Sequence, residues 1–217
     1  MEKLILGMLA LTFLAGCVST KNVRIDQNSA SRMSGKNIVS TLGEDPNFAA
    51  TTAGKAMFGG LGTVAVISEG NRIIKDNNVD DPAHYIGEQL LKDLSSRYSL
   101  NISSIGNVES TDDVKKLTVL YDKTDFILDV RTINWSFLYF PTDWDSYRVI
   151  YSVKLRLIDV ELKKLIAEGF CSNIPEQTEQ SPSHEELLSN SAARLKKELR
   201  IAANKCIGEF KDNILSK

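Results

Sequence analysis

The stretch YRVIYSVKLRLID, residues 147–159, alternates apolar and polar side chains more clearly than any other part of the chain. The apolar set occupies odd positions: Tyr147, Val149, Tyr151, Val153, Leu155 and Leu157. Even positions hold Arg148, Ser152, Lys154 and Arg156. A period of two predicts a β-strand with one buried face and one face in water.

Two neighbouring stretches extend this strand into a sheet. The preceding DFILDVRTINWSFLYF (125–140) is apolar at even positions up to Val130 and at odd positions from Ile133, and this switch predicts a bulge near residues 132–134. A hairpin through PTDWDS (141–146) joins the two strands.

A third strand follows in KKLIAEGFCS (163–172), with one face formed by Leu165, Ala167, Gly169 and Cys171. Three consecutive antiparallel strands form a meander.

Helical periodicity appears on both sides of the meander. Residues 82–98 predict a helix that begins at Pro82 and carries apolar residues at helical spacing, namely Ile86, Leu90, Leu91 and Leu94. SLNISSI (99–105) reads as a short strand, and residues 110–124 predict a second helix capped by Ser110 or Thr111. Residues 36–41, within the predicted tether, are a candidate for a further short strand.

A long C-terminal helix is predicted from Ser183, which forms a capping-box pattern with Glu186. One stripe runs along it: Leu188, Ala192, Leu195, Leu199, Ala202, Cys206 and Phe210. The stripe predicts that this helix lies on the sheet.

These elements predict an α+β fold, with an antiparallel sheet of a three-strand meander plus a short strand, packed by two or three helices. VKLRLIDVELKKLIAEG (153–169) resembles the strand, Asp-turn, strand unit of periplasmic lipoproteins of the curli-secretion-channel and TolB N-terminal-domain type. Lys163 stands where that unit has a turn glycine. The resemblance implies a fold class and no activity.

The N-terminus, MEKLILGMLALTFLAGC, has the charged start, apolar run and small residues of a secretory signal. LAGC at 14–17 resembles the lipobox of bacterial lipoproteins, which implies cleavage before Cys17 and covalent lipid on that residue. Several acyl chains hold a protein stably on a membrane. Because Val18 and Ser19 follow Cys17, rather than aspartate, the resemblance implies the outer membrane of the cell envelope. We expect the protein to face the periplasm, with exposure on the cell surface as the alternative.

The chain therefore divides into a signal peptide (1–16), a lipidated cysteine with a polar tether (17–46), and one α+β domain (47–217). A formal net charge of −2 gives no electrostatic support for nucleic-acid binding. Cys171 ends a strand and Cys206 lies on the helical stripe, so a disulfide between them is expected, with two buried thiols as the alternative.

The segment 47–68 is rich in glycine and alanine and carries one charge, Lys55. It lacks the Walker phosphate-loop pattern. Read as a helix, it places small residues on one face, a candidate packing surface: Ala49, Ala53, Ala56, Gly60 and Thr63. A buried strand is the alternative to a helix for this segment. Three packing partners are open: the rest of its own domain, a second subunit, or the membrane.

Chemistry-bearing residues do not form a recognisable catalytic pattern. His84 and His184 are expected to be solvated or capping groups, and no metal or cofactor is expected beyond the lipid on Cys17.

Near the hairpin tip, Phe140 and Trp144 are a candidate partner contact, with simple packing under a loop as the alternative.

The sequence favours a non-catalytic, membrane-anchored envelope lipoprotein that acts as a binding or assembly module, accessory to transport or secretion, with an envelope protein as partner. A homo-oligomeric or pore-like assembly through residues 47–68 is the second hypothesis. An unrecognised hydrolase is the third.

Overall fold

The computed structural model describes residues 22–57 and 59–216. Its strands are β1 (Asn37–Gly43), β2 (Ala49–Thr51), β3 (Asn101–Glu109), β4 (Phe126–Phe140), β5 (Asp143–Asp159) and β6 (Lys164–Asn173). Its helices are α1 (Gln27–Ser31), α2 (Ala53–Ala56), α3 (Gly59–Asp76), α4 (Pro82–Tyr98), α5 (Val114–Leu120) and α6 (His184–Asn213). The α+β class is confirmed.

The expected meander is present as β4, β5 and β6, which pair antiparallel in sequence order. The odd-numbered residues of β5 from Tyr147 to Leu157 are buried, as the alternation predicts. The register between β4 and β5 shifts between Thr132 and Asn134, which confirms the bulge.

The other half of the sheet is parallel, which the sequence did not predict. β1 and β2 both lie alongside β4, and β3 flanks β1, giving the order β3-β1-β4-β5-β6 with β2 beside β4. Helices connect these strands, and parallel neighbours need such long crossover connections.

The expected tether does not extend to residue 46. Described residues from Asn22 onward belong to the folded domain, and the strand proposed near residues 36–41 is confirmed as β1, which lies between β3 and β4. Its Ile38 and Leu42 face the main core and Val39 the opposite face of the sheet. Polar composition misleads here because this short strand is buried on both faces.

The main core lies between one face of the sheet and helices α3, α4 and α6. A smaller cluster lies under α5 on the opposite face: Val39, Leu117, Ile127, Ile158 and Val160. This second layer corrects the expected wet face of β5, because it leaves Ser152 and Arg156 buried. Leu165 also faces this smaller cluster, since a register shift beside Ile158 turns it away from the main core.

Helix caps agree with the sequence in two of three cases. Pro82 begins α4, and the Ser183–Glu186 capping box begins α6. For α5 the cap is Asp113, whose carboxylate accepts from the Lys116 amide at 2.9 Å, so Ser110 and Thr111 were wrong.

The stripe of α6 packs on the sheet, although the backbone is non-helical from Ser189 to Ala192 and Leu188 is only half-buried. Cys171 and Cys206 form the expected disulfide, which joins β6 to α6. The alternative of two buried thiols is therefore wrong.

Candidate functional site

The tip of the β4–β5 hairpin separates the two aromatic residues that the sequence grouped together. Trp144 is 58% exposed, whereas Phe140 is buried and has the Arg148 guanidinium 5.3 Å above its ring. Phe140 is thus a packed residue and no candidate contact, because its side chain lies on a covered face at the end of β4. Trp144 alone remains available to a partner.

The segment 47–68 is not one helix. Ala49 lies in β2, Ala53 and Ala56 in α2, and Gly60 and Thr63 in α3. These five residues therefore share no single helical face, and the proposed packing surface is wrong. The segment breaks because β2 pairs with residues 136–138 of β4, which buries Ala50 in the sheet.

Close backbone packing does occur nearby, at Gly70 of α3. A Cβ placed on Gly70 would lie 2.0 Å from the carbonyl oxygen of Phe48, so only glycine lets α3 lie this close to the chain entering β2. The sequence signal was available, since a glycine inside a helical stretch is unfavourable unless packing requires it.

These elements meet at one end of the sheet, which we call the distal end: residues 51–57, 59–69, 138–148 and 177–184. Thr51 pairs with Leu138, Ser146 bridges to Ser183, and the Thr142 hydroxyl donates to Gln177 at 2.7 Å. Three large apolar side chains are exposed here: Met57 (75%), Val64 (72%) and Trp144 (58%).

His184 belongs to the core side of the distal end. Its ring packs edge-on against Phe137 at 5.6 Å and lies 5.5 Å from the Tyr147 ring. Burial lowers the pKa of His184, which favours the neutral imidazole. The expectation of a solvated His184 was therefore wrong, whereas His84 is half-exposed, 3.5 Å from the Asp45 carboxylate.

A cleft of about 730 Å³ lies between α4, α6 and β3. Its ionisable lining residues include both acids and bases: Asp80, Asp81, His84, Glu88, Lys196 and Arg200. The Arg200 guanidinium lies 3.6 Å from the centre of the Tyr85 ring. Because the lining includes both acidic and basic side chains, it favours neither an anionic nor a cationic ligand.

Asp81 is the most perturbed carboxyl of this cleft. It caps α4 by accepting from the Ala83 amide at 2.8 Å, and it also accepts from the Thr132 hydroxyl, which lies 2.9 Å from that of Tyr151. Burial raises the pKa of Asp81 to about 6, against the opposing effect of these hydrogen bonds. Its role as the N-cap of α4 accounts for the position of Asp81.

Neither a metal-binding cluster nor a membrane-spanning helix occurs in the part of the chain that the structure describes. Within residues 22–57 and 59–216, no group of three or more His, Cys, Asp or Glu side chains could hold a metal ion. No helix in the same described ranges is long and apolar enough to span a bilayer. Cys17, the candidate lipidation site, lies outside the described residues.

No protein-family model matches the chain, and no curated protein matches it. Among solved structures it is similar to a neuraminyllactose-binding hemagglutinin homologue of Helicobacter pylori, at 15% identity and TM-score 0.40, over 85% of this chain and 86% of that one. It is also similar to a lipoprotein of Neisseria meningitidis (15%, TM-score 0.28, 79% and 99%). A third is the PelC dodecamer of Paraburkholderia phytofirmans (7%, TM-score 0.32, 84% and 91%). At such low similarity, function has to be derived from this chain's own residues.

Proposed function

We propose that this protein is a lipid-anchored, non-catalytic module of the bacterial envelope, which binds or assembles with another envelope protein through its distal end. The LAGC motif at Cys17 supports the lipid anchor, and Val18 and Ser19 after it favour the outer membrane. The periplasmic side of that membrane is part of the proposal. The observation that carries the binding role is the exposure of Met57, Val64 and Trp144 at one end of the sheet.

The distal end is well separated from the point where the chain leaves the domain towards the anchor. Val23 pairs with Glu168, and Glu168 pairs with Arg156 of β5. Trp144 and Arg156 are twelve residue steps apart along β5, about 40 Å at the rise of a β-strand. A partner can thus reach the distal end without displacing the anchored side.

The chemistry of the distal end suits a protein partner with an apolar groove. Single exposed apolar residues are ordinary on any surface. Here a tryptophan and two aliphatic side chains share one end, and tryptophan is enriched among the residues that dominate binding energy. The Lys55–Glu69 ion pair beside them adds a polar margin.

A second copy of this chain is the alternative occupant, because Met57 and Val64 both belong to the segment 47–68. In that case the module forms a homo-oligomer through the same surface.

In-cell photo-crosslinking tests the proposal. A photoreactive amino acid is placed at Trp144 or, as the control, at Val108 of β3, which is 55% exposed. We expect a specific adduct with another envelope protein at position 144 and none at 108. An adduct with the protein itself would favour the homo-oligomer, and identical patterns at both positions would contradict a distal binding surface.

The anchor is tested separately by Cys17→Ala, which should move the protein from the membrane fraction to the soluble fraction. Continued membrane association of this variant would argue against the lipid anchor.

A further inference from the structure

The first described residues are held against the edge of the sheet. The Val23 amide donates to the Glu168 carbonyl at 2.7 Å, and the Glu168 amide donates back at 2.9 Å. The Phe170 amide donates to the Asn22 side-chain oxygen at 3.1 Å. Residues 22 and 23 therefore cover part of the outer edge of β6.

The next two residues are held by the end of α6. The Arg24 guanidinium donates to the carbonyls of Ser216 at 3.0 Å and Asp212 at 3.2 Å, and the Ile25 amide donates to the Ile214 carbonyl at 3.0 Å. Ile25 is buried in the main core. The attachment joins two separate elements, so residues 22–25 are part of the folded domain.

The connection to the anchor is consequently short. Four residues lie between Cys17 and Asn22, so the connection has five Cα–Cα steps. At no more than about 3.5 Å per step, it spans at most about 17 Å. A domain of this size has a radius of gyration of about 16 Å, which for a compact sphere corresponds to a diameter of about 40 Å. The connection is too short to let the opposite side of the domain turn towards the lipid.

From this we infer that the outer edge of β6 and the end of α6 face phospholipid headgroups and that the domain rests on the bilayer surface. The inference depends on the lipid anchor of the proposed function. The opposite edge of the sheet, β3, lies four strand spacings away, about 19 Å, and faces away from the membrane.

The chemistry of this side is compatible with headgroups. Arg24 is exposed, and the carbonyl oxygens that accept from it are those of Asp212 in the last turn of α6 and of Ser216 just after it. Lys164, at the start of β6, is also exposed. Basic side chains near an anionic lipid surface are attracted to it.

Fluorescence quenching from lipid headgroups tests the orientation in the full lipidated chain. The protein is reconstituted in vesicles of phosphatidylethanolamine and phosphatidylglycerol that carry a headgroup nitroxide. A fluorescent amino acid replaces either Ile174, just after β6, or Ile105 of β3. The two sites are matched, since both are isoleucine and are 56% and 52% exposed.

We expect stronger quenching at position 174 than at 105, and equal or reversed quenching would overturn the inference. Inserting 20 Gly/Ser residues between Lys21 and Asn22 adds roughly 25 Å of reach, so the difference should be lost. A full difference in that variant would show that the short connection is not the cause of the difference in quenching.

Vesicle flotation separates the two proposals. A protein that fails to float refutes the anchor, whereas a floating protein with equal quenching at both sites refutes only the orientation.

Discussion

The β4–β5 hairpin has two unlike halves on either side of its bulge at Thr132. The inner half is flanked by β1 and β6, is covered on both faces, and buries a charged network. The outer half is flanked by the three-residue β2 and ends in the exposed Trp144. Packing is therefore concentrated where the chain leads to its anchor, and exposed apolar surface where a partner is proposed to bind.

The buried network of the inner half centres on Asp129. Its carboxylate accepts from Arg131 at 3.0 Å, Arg156 at 2.6 Å and the Thr41 hydroxyl at 2.9 Å. The Arg156 guanidinium also donates to the Asp112 carbonyl at 2.6 Å, which ties the segment before α5 to the sheet. The arrangement fully pairs a carboxylate that would be costly to bury alone.

The largest expected effect follows from removing that carboxylate. Asp129→Ala leaves two arginines largely buried without their partner, and we expect it to lower the free energy of unfolding by about 3–5 kcal/mol in urea denaturation. Asp145→Ala, at the exposed turn of the outer half, should change it by less than about 0.5 kcal/mol. Equal losses would abolish the contrast between the halves.

Removal of the disulfide should have the next largest effect. It closes 35 residues between β6 and α6, and replacing both Cys171 and Cys206 with alanine should cost about 3–4 kcal/mol by the chain-entropy relation. Denaturation of the unmodified protein in reductant should give the same loss. The crosslink at Trp144 should persist, and its disappearance in a folded variant would mean that the outer half depends on this clip.

Asp81 sits where the halves meet, because it is bonded to Thr132 at the bulge. Its pKa is raised from 3.8 to about 6, so the folded state binds a proton more tightly than the unfolded chain. Its stabilising contribution is complete below pH 3.8 and is lost as pH rises through about 6, by about 3 kcal/mol at most.

Asp81→Asn retains a capping side chain without the titration. Unfolding measured from pH 4 to 7 should show a flatter profile for this variant than for the unmodified protein. Unchanged profiles would mean that Asp81 is not the group responsible.

The smallest effect concerns the packing of α3 on β2 in the outer half. Gly70→Ala forces the helix away from the Phe48 carbonyl and should cost roughly 1–3 kcal/mol. Gly208→Ala in α6 is the control, because its Cβ would meet open space and should stabilise the helix by up to about 1 kcal/mol. Thermal melting of both variants measures the difference, and a neutral Gly70→Ala would disprove the tight contact.

Much of the architecture was predictable from local sequence patterns. The alternation in β5, the parity switch at the bulge and the Ser183 capping box each depend on side chains a few residues apart. The disulfide was also predictable, because both cysteines lay on faces already assigned to the core. The candidate site was less predictable: Trp144 is exposed as expected, and its role stays a prediction, whereas Phe140 and the small-residue face were misassigned.

The misassignments share one physical cause. Whether Phe140 is exposed depends on Arg148 across the hairpin, and whether residues 47–68 stay helical depends on the pairing of β2 with β4. Gly70 matters only because Phe48 passes beside it. Such contacts join residues whose separation no periodicity reports.

Local chain chemistry thus accounts for the meander and its helices, and it also carries the proposed export signal and lipid-anchor cysteine, since each arises from neighbours along the chain. Pairing between distant segments accounts for the parallel half of the sheet, the Asp129 network and the attachment of residues 22–25 to β6 and α6. That attachment turns an expected tether of 30 residues into a connection of five, because the hydrogen bonds of Asn22 and Val23 form with residues almost 150 positions away.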